Sequence, residues 1–226
     1  MSERTGTPFE VRPLAPEELR DAAWLHAREL PHEFLTHFGP AFLARYYRAF
    51  VESPHAVALA VGDPVGRRLD GVLIATFDTR AHYACLVRRH GFALAWYVAA
   101  RSLRHPRFAR VLIQTRLRRY ARGILRSFTS SSKKSPSSPD RLSERVGFLV
   151  YMAVDAERRG RGIGGALLAT YEALAQEAGL ERLDLVTNPD ERGAGPFYAK
   201  AGWTPAGERV SGSGERYALY TRELRG

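Results

Sequence analysis

Arg159-Gly160-Arg161-Gly162-Ile163-Gly164-Gly165 is the stretch on which the reading of this chain turns. It stands where an apolar strand pattern at 147–154 hands over to a helix pattern at 166–178. Four glycines in seven residues remove the side chains that would hold a ligand away from the backbone. The amides of the turn and of the first helical residues lack intrahelical partners and point at one spot. The positive end of the helix dipole and the flanking Arg158, Arg159 and Arg161 complete a cradle suited to a diphosphate.

Two other phosphate-binding turns fail on spacing. A P-loop requires Gly-x-x-x-x-Gly-Lys-Ser/Thr, and no Lys-Ser or Lys-Thr closes this turn. A dinucleotide fingerprint requires Gly-x-Gly-x-x-Gly with an acid about 20 residues on. Asp184 stands near that distance, but the third glycine interval is wrong. The pattern that fits is Arg/Gln-x-x-Gly-x-Gly/Ala, present as Arg159-Gly160-Arg161-Gly162-Ile163-Gly164. Here the chain resembles the GNAT superfamily of acyl-CoA-dependent N-acyltransferases. The resemblance continues through a short buried strand at 183–187 and through Phe197-Tyr198-Ala199-Lys200-Ala201-Gly202-Trp203. Upstream, Phe9-Glu10-Val11-Arg12-Pro13-Leu14 looks like an opening strand, followed by two helical patterns and strands near 55–61 and 69–77.

The resemblance implies a mixed α/β domain whose mostly antiparallel central sheet is splayed and flanked by helices. It covers the chain except for about 79–145, so the expectation is a single domain over 1–226 with an insertion between its third and fourth strands. It also implies a co-substrate, acetyl-CoA or another acyl-CoA. Its diphosphate would lie on Arg159, Gly160, Arg161, Gly162, Ile163, Gly164 and Gly165, and its pantetheine arm along Met152 and Val154, with Asn188 in reach. Asn188 has an ordinary alternative, since Asn188-Pro189-Asp190 is a natural turn. Relatives often carry Asn three residues before the Ala of Ala-x-x-Phe-Tyr, where this chain has Glu191 before Ala194. Tyr198 holds the position of the general acid that protonates the departing sulfur; alternatively it packs with Phe197 against the sheet.

The base is not legible. Glu29, His32 and Glu33 cluster between the first two helical patterns, and Asp78 ends the third strand, yet each also suits a surface or capping place. Cys85, the single cysteine, excludes an intrachain disulfide and reads as a small apolar residue. The seven histidines show no ligand spacing, so no metal is expected.

The net charge of +10 is unevenly placed. Only Lys133, Lys134 and Lys200 are lysines, so arginine supplies nearly all of the basic residues. Residues 79–145 carry a net +14 and the remainder −4, a partition that no codon bias produces. Within that segment 90–104 reads as an apolar helix closed by His105-Pro106. An amphipathic pattern over 108–128 follows, with Arg107, Arg110, Arg116, Arg118, Arg119, Arg122 and Arg126 on its other faces. A Ser- and Pro-rich tether over 127–139 completes the segment. Those arginines suit solvent, the acidic remainder of the chain, or an acidic macromolecule such as tRNA, an acyl carrier protein or an anionic membrane surface.

The longest apolar run, 91–100, is half of what a membrane span needs. The first residues, Met-Ser-Glu-Arg-Thr-Gly, lack the apolar core of a secretory signal, which leads to the expectation of a cytoplasmic protein. The expected activity is transfer of an acyl group, most simply acetyl, to the amine of a small-molecule acceptor. Two alternatives stay open: an amide-forming transferase fed by aminoacyl-tRNA or a carrier protein, and a non-catalytic module that binds RNA or protein. A homodimer is also left open.

Overall fold

A computed structural model describes residues 10–63, 68–104, 145–189, 193–210 and 216–224. The expected helix at 108–128, its arginines, the tether and Glu191 lie outside the described residues. Among the described residues seven strands form one sheet in the order β1-β2-β3-β4-β5-β7-β6. They are β1 (Arg12–Pro13), β2 (Ala56–Asp63), β3 (Arg68–Thr76), β4 (Val146–Val154), β5 (Arg182–Thr187), β6 (Thr204–Val210) and β7 (Arg216–Glu223). Around it stand α1 (Leu19–Glu29), α2 (Pro40–Val51), α3 (Thr79–Arg104), α4 (Ile163–Glu177) and α5 (Gly195–Lys200). The expected mixed, mostly antiparallel sheet is what the structure shows.

Period-two alternation explains the layering. On β2, Ala58 and Ala60 face the α1–α2 layer while Leu59 and Val61 face α4, and on β3 Val72 and Ile74 alternate in the same way with Leu73 and Ala75. Two buried clusters result, one on each face of the sheet. α4 seats Ile163, Leu167, Leu168, Tyr171 and Ala175 on its face, with the Tyr171 hydroxyl donating to the Thr76 carbonyl at 3.1 Å. Trp203 is buried beside α4 and donates its indole N–H to the Glu172 carboxylate at 2.9 Å.

Every neighbouring pair of strands is antiparallel except β4 and β5. That parallel pairing lasts only from Val146↔Arg182 to Leu149↔Leu185. Beyond it β4 runs on to Val154 paired with β3 alone, while β5 stays with β7. A bulge marks the parting: Ile74 pairs with Tyr151 and Ala75 with Leu149, leaving Val150 as the extra residue on β4. The sheet therefore opens at its centre.

The helix expected from residue 90 begins at Thr79 instead. Asp78 starts it, its carboxylate accepting the Ala81 amide at 2.9 Å, which gives Asp78 the capping role among its two readings. The inner side of α3 buries His82, Leu86, His90 and Leu94, with the His82 ring 4.1 Å from that of Phe50.

His26, fully buried in α1, donates to or accepts from the Tyr47 hydroxyl at 3.1 Å, and its Nε2 has no partner among the described residues. Burial pushes its pKa down to about 4. Between that value and about 6.5 the unfolded chain holds a proton that the folded chain refuses, so stability is complete above pH 6.5 and falls as the pH drops towards 4. The loss amounts to about 3 kcal/mol. Thermal unfolding of the wild type and of His26→Leu across this range should show the variant lacking that part of the acid dependence. Parallel pH profiles would contradict it.

Candidate active site

The gap between β4 and β5 opens into a cavity of about 1300 Å³. One end lies at the turn before α4, the other between α1, α2 and α3. Of the residues expected to bind a donor, Met152, Val154, Arg159, Gly160, Gly162, Ile163, Gly164, Gly165 and Asn188 line this one cavity, and so does Tyr198. Arg161 is exposed on the turn and is not part of the lining.

The cradle is built from the end of β4. Asp155 accepts the Glu157 amide at 3.0 Å and starts a single 3-10 turn, Ala156–Arg158. Burial pushes the Asp155 carboxyl up, but the Glu157 amide and the Arg68 and Arg28 guanidinium groups outweigh it and hold the group ionised, below its ordinary value. These contacts fix where the glycine turn departs. Gly160 and Gly162 then take left-handed φ of 75° and 89°, and Gly162 is the N-cap of α4.

A Cβ placed at each glycine separates packing from access. At Gly164 it would meet the Phe197 ring at 3.1 Å, so that glycine serves the seating of α5. At Gly160, Gly162 and Gly165 it would meet nothing within 4 Å. Gly165 lies inside the helix with no positive φ, where the fold itself would favour alanine. Its bareness keeps the helix N-terminus open to the cavity. A diphosphate fits that space and the amides beneath it.

Arg159 donates from Nε to the Val154 carbonyl at 3.2 Å and from Nη2 to the Glu29 carboxylate at 2.6 Å. Glu29 is nearly buried and also accepts from Arg28 at 2.8 Å. The α1 end is thereby tied to the cradle, a link across 130 positions that sequence reading missed. Glu29 and Glu33 both line the cavity, whereas His32 is exposed and lies outside it. On the other wall Thr187, at the end of β5, accepts the Ala194 amide at 3.2 Å and sets the start of α5. α5 delivers Tyr198, 5% exposed, between Phe197, Trp203 and Tyr220. Burial raises its phenol above the ordinary value, so it stays protonated.

The α1–α3 end is apolar, walled by Phe34, Leu35, Phe38, Phe42, Leu86 and Leu94. Among the described residues no group of His, Cys, Asp or Glu is placed to hold a metal, and no helix is long and apolar enough to cross a membrane.

Residues 127–203, the glycine turn, α4, β5 and α5 included, match the acetyltransferase (GNAT) family model. No curated protein matches the chain in sequence. Solved structures share its fold. A GNAT-family acetyltransferase from Desulfovibrio desulfuricans is 12% identical, with a TM-score of 0.55 over 96% of this chain and 99% of that one. The ribosomal-protein-S5-alanine acetyltransferase of Vibrio fischeri is 13% identical, with a TM-score of 0.55 over 99% and 97%. Aminoglycoside 6'-acetyltransferase type Ii is 14% identical, with a TM-score of 0.55 over 96% and 98%. Over residues 127–203 the chain is similar to the GNAT acetyltransferases, and it shares the fold of their solved structures.

Proposed function

We propose that this protein transfers an acyl group, most simply acetyl, from acyl-CoA to the amine of a small-molecule acceptor. The observation that carries the reading is the continuity of the β4–β5 gap with the bare N-terminus of α4 in one cavity. We read 1–226 as one such domain, with 79–145 inserted in it.

The co-substrate would supply a thioester, an acyl group already activated for attack. The amides of Ile163, Gly164 and Gly165 bind its diphosphate, and Arg159 neutralises it after sharing or leaving Glu29. β4, freed from β5 beyond Leu149, presents the backbone of Val150–Met152 to the pantetheine arm and carbonyl. The acceptor enters from the α1–α3 end, whose apolar wall suits an amine carried on an apolar body. Glu33, which lines that end, takes the proton from the attacking amine. Tyr198 donates a proton to the departing sulfur.

The test is thiol release from acetyl-CoA in the presence of arylalkylamines, for the wild type and Tyr198→Phe. The variant should lose about tenfold in kcat, less than the usual range for an acid because thiolate leaves readily, with unchanged acetyl-CoA affinity. An unchanged kcat would confine Tyr198 to packing. Absence of thiol release with every amine, together with binding of aminoacyl-tRNA or an acyl carrier protein, would replace the donor.

A further inference from the structure

The outward side of α3 is the least expected surface of the described molecule. Phe92, Trp96, Ala99 and Leu103 follow one another at three- and four-residue steps and share one face, with Arg88 and Arg89 four and three residues before Phe92. Phe92 is 87% exposed, Trp96 67% and Leu103 86%. Arg88 and Arg89 are exposed beside them, with no acidic partner among the described residues. The stripe from Arg88 to Leu103 is roughly 24 Å long at 1.5 Å per residue. The opposite side of the helix packs on α2, while among the described residues this face stays exposed.

We propose that α3 lies on an anionic lipid bilayer, with Phe92, Trp96 and Leu103 in the headgroup–acyl boundary and Arg88 and Arg89 on lipid phosphates. Charge selects the occupant. α3 contains five arginines and no Asp or Glu. The chain from 105 to 139 is also free of acids and rich in arginine, so covering the face with that segment would set like charge against like. A second copy would bring the same basic face. An anionic partner is the complement. Among anionic partners the residue types favour lipid: exposed Leu103 and Phe92 gain by entering hydrocarbon, and an indole prefers the bilayer interface. Nucleic acid would engage the arginines and leave the aliphatic surface in water. The inner side of the same helix contributes Leu86, Leu94 and Val98 to the cavity, so docking sets the apolar end of the cavity beside the membrane.

The experiment uses the full chain with large vesicles of phosphatidylglycerol mixed with phosphatidylcholine, and of phosphatidylcholine alone. Sedimentation should occur with the anionic vesicles and weaken with salt. Phe92→Ser with Leu103→Ser should reduce partitioning by at least about tenfold, since each side chain contributes hydrocarbon burial, without lowering Tm because both are exposed. In a Trp24→Phe background buried Trp203 also emits, so Trp96 is read as the difference from the same protein carrying Trp96→Phe, and that emission should shift to the blue only when anionic vesicles are added. Several results would overturn the proposal. One is no sedimentation, or equal sedimentation with neutral vesicles. Another is a dimer that the double substitution disperses, which assigns the face to a second copy. Trp96 emission already blue in the vesicle-free monomer assigns it to residues 105–144. RNA binding without vesicle binding assigns it to nucleic acid.

Discussion

Gly162→Asp should abolish acetyl-CoA binding at concentrations that saturate the wild type, with a Tm lowered by only a few degrees. The two halves of that expectation have separate causes. Gly162 is the N-cap of α4 with a φ of 89°, a conformation that Asp tolerates better than most residues. A Cβ there would meet nothing within 4 Å, so no neighbour must move. The helix N-terminus even favours a carboxylate. The same carboxylate occupies the anion's place. Two unit charges 4 Å apart near a protein surface repel by about 4 kcal/mol, which is roughly a 10²- to 10³-fold loss of affinity against a diphosphate. Titration calorimetry of both proteins measures it, and retained affinity would remove the α4 N-terminus from the donor site.

Gly147→Val acts on the fold instead of the ligand. Gly147 pairs with Leu183 in the short parallel stretch of β4 and β5. A Cβ there would lie 2.7 Å from the Leu183 side chain, 2.7 Å from the Tyr171 hydroxyl and 2.9 Å from Leu180. Three buried or half-buried neighbours, on β5, on α4 and in the connection between them, must yield together. Overpacking of this kind costs about 3 kcal/mol, and displacing the Tyr171 hydroxyl from the Thr76 carbonyl adds about 1 kcal/mol. For a chain of this length Tm should fall by about 10 °C. A Tm equal to the wild type's would show that the parallel pairing is looser than its register implies.

The glycine turn was legible because each of its features is local. Glycine spacing, flanking arginines and a strand-to-helix change of period all lie within about 30 residues. Strands β2 to β5 were legible through alternation and apolar runs, to within two residues at each end. α3 is legible from residue 90 only, because its start, eleven residues earlier, depends on the Asp78 cap and not on an apolar period. The Asp155 anchor has a local sign, an Asp two residues before Glu157 at the end of an apolar strand. The Glu29–Arg159 contact had none, since only the packing of α1 over the end of β4 brings the two together. The bulge at Val150 was equally hidden, because it is a matter of register with β3 and not of residue type. Tyr198 has two readings in the sequence, packing and proton donation; the structure buries it among aromatic rings and places it in the cavity lining.

Calorimetric titration of the full chain with acetyl-CoA tests the central claim most directly. Saturable one-to-one binding in the micromolar range is expected, with heat that disappears for Gly162→Asp. No heat up to millimolar acetyl-CoA, with the protein folded, would contradict it.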